Sequence, residues 1–178
     1  MSYLRASLVA SAILLAGLLA APAATAGTPS AESSGEACAV GVAPVVLTAI
    51  ETTAAPIPEP VVDCFPSFGE AVEFATGGEL SASVVLGYEY KGTSYTGGSL
   101  VLYGTSGSGC GSGSTYGFSS MPSGWSDVIS SAKVFASCWS THYDYTGYSG
   151  DRRTCYGSCS SLGTMNNRTS SILFRPRS

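Results

Sequence analysis

Two short stretches of this 178-residue chain gather oxygen-bearing side chains in the same order. Ser126-Asp127-Val128-Ile129-Ser130-Ser131 and Asn166-Asn167-Arg168-Thr169-Ser170-Ser171 each set an amide or carboxylate three positions ahead of a pair of hydroxyls. Such oxygens are hard donors, and a neighbouring set can converge on a hard cation such as calcium, while the inner hydroxyl of each pair can bond bent backbone. Little else in the chain reads as chemistry. His142 is the sole histidine, and although Asp144 and Asp151 stand near it in sequence, no activated nucleophile or matched acid and base is signalled around it. The expectation is a protein without enzyme activity. Asn167-Arg168-Thr169 fits a glycosylation acceptor, but it falls inside the second oxygen-rich stretch and reads as coincidence.

The elements that must position these residues are themselves duplicated. Tyr95-Thr96-Gly97-Gly98-Ser99 with Tyr103-Gly104 returns as Tyr145-Thr146-Gly147-Tyr148-Ser149 with Tyr156-Gly157, and Ser119-Ser120-Met121 returns as Ser160-Ser161-Leu162. A unit of roughly 40 residues used twice is a supersecondary motif in which each copy covers the apolar face of the other. In each copy a tyrosine stands two residues before a glycine, at Tyr95/Gly97 and Tyr145/Gly147. A hairpin folded over its own sheet needs a residue with φ > 0, which glycine supplies. Short β-prone runs at Val84 to Tyr90, Leu100 to Tyr103, Ala132 to Ala136 and Ile172 to Phe174, separated by Gly/Ser turns, indicate an all-β sandwich or barrel. Between Gly104 and Thr115 the first copy holds a Gly/Ser loop that the second lacks.

Ahead of the repeats the chain changes character. Arg5, the apolar run from Leu8 to Ala21 and Ala24-Thr25-Ala26 read as a secretory leader over residues 1–26, because the run is too short to span a bilayer and ends at a small-x-small cleavage site. No later stretch is apolar enough to span, so a secreted, extracellular protein with no membrane span is expected. Residues 27–63 form an acidic arm rich in Pro, Ala and Thr, and residues 64–83 a short helix and connector. In Ser67-Phe68-Gly69-Glu70 the serine and glutamate form a capping box, Phe68, Ala71, Val72 and Ala75 share one helical face, and Gly77-Gly78 end the helix. Residues 27–80 carry eight acids (Glu32, Glu36, Glu51, Glu59, Asp63, Glu70, Glu73, Glu79) and no base, whereas residues 81–178 carry seven bases and four acids. With so few bases and no basic run, nucleic acid is excluded as a partner.

All six cysteines lie beyond the leader. An even count in an exported chain argues for three disulfides, and the spacing favours Cys38 with Cys64, Cys110 with Cys138 and Cys155 with Cys159. The absence of a Cys-x-x-Cys pair argues against a thiolate metal site.

The oxygen-rich stretches and the Tyr-x-Gly marks together resemble the βγ-crystallins. Asn166 to Ser171 matches the family's Asn/Asp-Asn/Asp-x-x-Ser/Thr-Ser calcium motif in full, and Ser126 to Ser131 matches at all but its first position. The resemblance covers about residues 84–174, as repeats of about 84–136 and 137–174. It implies an all-β domain of two Greek-key motifs forming a β-sandwich, preceded by an irregular arm and one short helix, with up to two calcium ions near the pseudo-twofold. Carried over by position, the ligands would be Asp127 and Ser130 in the first copy and Asn166, Asn167 and Ser170 in the second. Only one formal charge lies in the two motifs, so binding is expected to be weak, on the order of 10⁻⁴ to 10⁻³ M. The reading is a secreted, monomeric, non-enzymatic βγ-crystallin-like protein that binds calcium. Two alternatives stay open: a proteinase inhibitor, in the manner of the small secreted metalloproteinase inhibitors of related fold, presenting loop 104–115 to an extracellular protease; and a disulfide-stabilised structural, cell-envelope or toxin-like protein.

Overall fold

The computed structural model describes residues 36–45, 60–77 and 83–177. The expected leader and most of the acidic arm lie outside the described residues. In chain order the strands are β1 (Ala37–Val42), β2 (Asp63–Phe65), β3 (Val84–Tyr90), β4 (Ser99–Gly104), β5 (Tyr116–Phe118), β6 (Ser131–Val134), β7 (Cys138–Tyr145), β8 (Ser149–Cys155) and β9 (Ser171–Pro176), with helix α1 (Phe68–Gly77) between β2 and β3. They form a five-stranded sheet in the order β2-β1-β4-β3-β6 and a four-stranded sheet in the order β5-β9-β7-β8.

Each copy sends one strand across to the other's sheet. In the first copy β3 and β4 pair as a hairpin, β5 crosses to pair with β9, and β6 returns beside β3. In the second, β7 and β8 pair, Cys159 crosses to bridge Ala132 of β6, and β9 returns beside β7. Leu86, Leu100, Leu102, Tyr116, Phe118, Trp125, Ile129, Ile172 and Phe174 fill the core of this sandwich. Neither copy could bury these side chains alone, which is the physical reason for the duplication.

The hairpins correct the alignment of the repeat. Ser131 Oγ donates to Gly92 O (2.6 Å) and accepts from Tyr95 N–H (3.0 Å); Ser171 Oγ donates to Tyr145 O (2.7 Å) and accepts from Tyr148 N–H (3.1 Å). Tyr95 therefore matches Tyr148, not Tyr145, and Gly97 (φ 79°) matches Gly150 (φ 81°), not Gly147. Tyr90 packs edge-on to Tyr95 at 5.7 Å, as Tyr143 does to Tyr148 at 6.0 Å. The letters Tyr-Thr-Gly recur three residues out of register, whereas strand pairing and the serine hydroxyls set the spatial match.

A second layer covers the outer face of the first sheet. Helix α1 begins as its capping sequence requires, with Ser67 Oγ accepting from Glu70 N–H (3.3 Å). Ala71 and Ala75 are buried, and Phe68 and Val72 pack with Val101, Tyr103 and Tyr88. The approach to the domain differs from the irregular arm expected of residues 27–63. Ala37–Val42 runs parallel to β4 as an interior strand, and Cys38–Cys64 ties it to β2. Its side chains alternate, as strand geometry dictates: Ala37 and Ala39 lie under α1, while Cys38 and Val40 enter the sandwich core. So few large apolar side chains give no strand signal in sequence. The pairing partner and the small space beneath the helix make this segment a strand.

Candidate functional site

The two oxygen-rich stretches lead into β6 and β9, and each is folded against the other. Asp127 N–H donates to Thr169 O (2.9 Å) and Asn167 N–H donates to Ile129 O (2.8 Å). Both residues have left-handed backbones, φ 58° and φ 56°, a conformation that Asp and Asn tolerate better than other side chains. The consequence is exchange of partners. Ser170 Oγ donates to Asp127 Oδ1 (2.8 Å), and Ser130 Oγ donates to Asn167 Oδ1 (3.0 Å). Each cluster thus takes its amide or carboxylate from one copy and its hydroxyl from the other.

Two residues stand differently from the expectation. Asn166 joins neither cluster; its Oδ1 accepts from Ser161 Oγ (3.2 Å). Ser126, the position that departs from the motif, does take part, with its Oγ donating to Ser170 Oγ (3.2 Å). The Asp127 cluster therefore gathers Asp127, Ser170 and Ser126, one formal charge and two hydroxyls. The Asn167 cluster gathers Asn167 and Ser130 and carries no formal charge. Its neighbour Arg168 binds Asp144 through Nη2 (2.6 Å) and Nε (3.1 Å) and reaches Asp151 (3.1 Å). The hydrogen bond to Asp144 is the main cause of the upward shift of the Arg168 pKa. These two carboxylates are thus engaged by a guanidinium rather than offered to a cation.

Sequence reading missed one pair altogether. Glu89 on β3 and His142 on β7 are completely buried, with Oε2 and Nε2 3.0 Å apart between the two sheets. Burial pushes the Glu89 carboxyl above the usual carboxylate range, and the charge and hydrogen bond of His142 pull it back. The corrected repeat holds the signal. Glu89 precedes Tyr90 as His142 precedes Tyr143, so the two occupy matching places and meet across the axis relating the copies.

Elsewhere among the described residues, Glu36, Cys38 and Cys64 are the group of His, Cys, Asp or Glu close enough to hold a metal. Both cysteines are oxidised in the same disulfide, so neither offers a thiolate. The remaining disulfides join Cys110 to Cys138 and Cys155 to Cys159.

The strand exchange settles the architecture: two consecutive Greek keys, each lending its third segment to the other's sheet. The fold is βγ-crystallin-like. No known family profile matches the sequence, and no curated protein does. Solved βγ-crystallin structures do match it. The N-terminal domain of protein S shares 20% identity over 51% of this chain and 96% of that chain, with a TM-score of 0.39. A βγ-crystallin domain from Clostridium beijerinckii shares 20% identity over 51% and 97%, TM-score 0.39. One from Flavobacterium johnsoniae shares 22% over 52% and 96%, TM-score 0.38. Within the two Greek keys of this chain the two oxygen clusters fall at symmetric places between the copies.

Proposed function

We propose that the protein is a secreted, non-enzymatic βγ-crystallin-like module that binds calcium weakly at two symmetric sites. The observation that carries the reading is the crosswise convergence of Asp127, Ser170 and Ser126 on one side and Asn167 and Ser130 on the other. Hard oxygens from two chain segments, held by left-handed backbone at Asp127 and Asn167, form an oxygen cluster of the kind Ca²⁺ selects, with water and carbonyls completing its shell. Ligand charge governs affinity, so the Asp127 site is the tighter and both fall on the order of 10⁻⁴ to 10⁻³ M. Secretion is supported by the leader-like sequence and three disulfides. Among the described residues no helix is long and apolar enough to cross a membrane. His142, the one candidate general base, has no exposed surface and so lacks access to a substrate.

Calorimetric titration of the oxidised protein with Ca²⁺, paired with thermal melts in calcium and in chelator, tests this. Saturable heat and a raised midpoint are expected, because an ion that binds only the native state stabilises it. A flat titration with superimposable melts would refute the assignment and leave the clusters as loop fasteners.

A second reading is favoured by one observation. Cys110–Cys138 and Tyr116, whose hydroxyl donates to Ser106 O (3.0 Å) and accepts from Gly109 N–H (3.3 Å), hold the loop after β4 at both ends of its exposed tip. A rigid tip loses little entropy on entering a protease cleft. Inhibition of a thermolysin-like or subtilisin-like protease at stoichiometric protein would support that role, and full residual activity at excess protein would remove it.

A further inference from the structure

The edges of the two sheets are not equally protected. β2 is only three residues long. The outer side of β6 is taken by Cys159, with hydrogen bonds in both directions to Ala132 (2.9 and 2.8 Å). β5 is covered by the chain leaving β1, through the Pro44–Tyr116 bridge and Val45 N–H to Thr115 O (2.8 Å). β8 is different: it is seven residues long, exposed from Ser149 to Arg153, and no described segment bonds to the side facing away from β7. A bare edge of this length presents unpaired backbone donors and acceptors, a template for another strand.

Its side chains say what kind of strand. Asp151 is occupied by Arg168, whereas Arg152 and Arg153 are exposed and form no ion pair with a described carboxylate. Adjacent strand residues point to opposite faces, so the two arginines flank the edge above and below. A second copy paired symmetrically about these residues would bring Arg152–Arg153 against the same dipeptide, and like charges across a strand pair repel. On the outer face the row continues through Thr154, bonded to Thr141 (3.0 Å), to Tyr156, which is 68% exposed and packs edge-on to Trp139 at 4.7 Å. The row therefore runs from charge to aromatic surface over four residues.

We propose that β8 is a docking edge for an extended acidic peptide segment of a partner protein. The segment adds as a fifth strand to the second sheet through backbone hydrogen bonds. Two adjacent acidic residues face Arg152 and Arg153, and an apolar or aromatic residue about four positions along rests on Tyr156.

The probe is a synthetic peptide, Thr-Val-Glu-Glu-Val-Thr-Val-Tyr-Thr, titrated into the oxidised protein while Trp139 fluorescence is followed; Trp125 is buried under Lys91 and serves as an internal constant. Saturable change is expected, with at least about tenfold weaker binding for the same peptide N-methylated at alternate residues and for an R152E/R153E variant whose melting curve is unchanged. Equal binding of the N-methylated peptide, or equal competition by heparin, would show a surface that attracts polyanions by charge alone and would overturn the proposal. So would the absence of saturation at millimolar peptide.

Discussion

The first Greek key presents Glu89 and Asp127 where the second presents His142 and Asn167, although the paired residues occupy matching places in matching hairpins and turns. The features that shape backbone are duplicated: Ser131 and Ser171 pin the folded hairpins, and Asp127 and Asn167 share left-handed φ. The features that carry charge are not. At one symmetric place an acid meets a base across the core, and at the other an acid has an amide as its counterpart. The outer faces diverge too. Helix α1 closes the first sheet with a second small core, while the second sheet leaves Tyr156 and the arginines of β8 open. Backbone geometry tolerates little change because many hydrogen bonds depend on it, whereas side chains at symmetric positions are free to diverge once the copies share one chain.

The largest effect should come from the asymmetric core pair. His142→Ala would leave a completely buried carboxyl group without its hydrogen-bond partner and open a cavity beside it, at a combined cost of about 3–5 kcal/mol in denaturant unfolding. The double change Glu89→Leu with His142→Leu should recover most of the loss; a double variant no more stable than the single would show that the two side chains are not energetically coupled. The pair also sets a pH dependence. Because the folded-state pKa of Glu89 lies above its unfolded value, its contribution is fully present below about pH 4.3 and is lost as pH rises through the raised value. Glu89→Gln should flatten that segment of the stability curve, and an unchanged slope would assign it to another group.

Next in size is the tie between β1 and β2. Replacing Cys38 and Cys64 by alanine releases a constraint spanning 26 residues, worth about 3 kcal/mol. The expected outcome is a lower midpoint with β1 less protected in hydrogen exchange while β7 and β9 keep their protection. Equal loss of protection in both sheets would mean that the second sheet depends on the added strands. The comparison between the two oxygen clusters, under the proposal that they bind calcium, predicts a smaller effect. Asp127→Asn should weaken the tighter calcium step roughly tenfold, about 1.4 kcal/mol, and Asn167→Asp should strengthen the weaker step by a similar factor. Identical isotherms for both variants and the native protein would break the link between charge and affinity. The smallest effect tests the symmetry itself: Ser131→Ala and Ser171→Ala each remove a buried hydroxyl that both donates and accepts, and each should cost about 1 kcal/mol. A large difference between them would mean that only one folded hairpin depends on its pin.

The β-prone runs and the alternation of turn residues specified an all-β sandwich or barrel, because the period of the apolar residues and the position of φ > 0 turns are local properties; the two Greek keys were implied by the resemblance that the repeated Ser/Asn stretches carry. The start of α1 was legible for the same reason, since Ser67 and Glu70 lie within one helical turn. Three features were decided only by tertiary structure. Ala37–Val42 becomes a strand because β4 and α1 supply its partners. The oxygen clusters pair Asp127 with Ser170 and Asn167 with Ser130 because the sheets exchange strands, which no reading along one copy reveals. Glu89 and His142, 53 residues apart and unlike in type, meet in the core because the axis relating the copies brings matching positions face to face. Local sequence encodes the turns and strands; contacts across an internal symmetry axis depend on how two finished motifs pack.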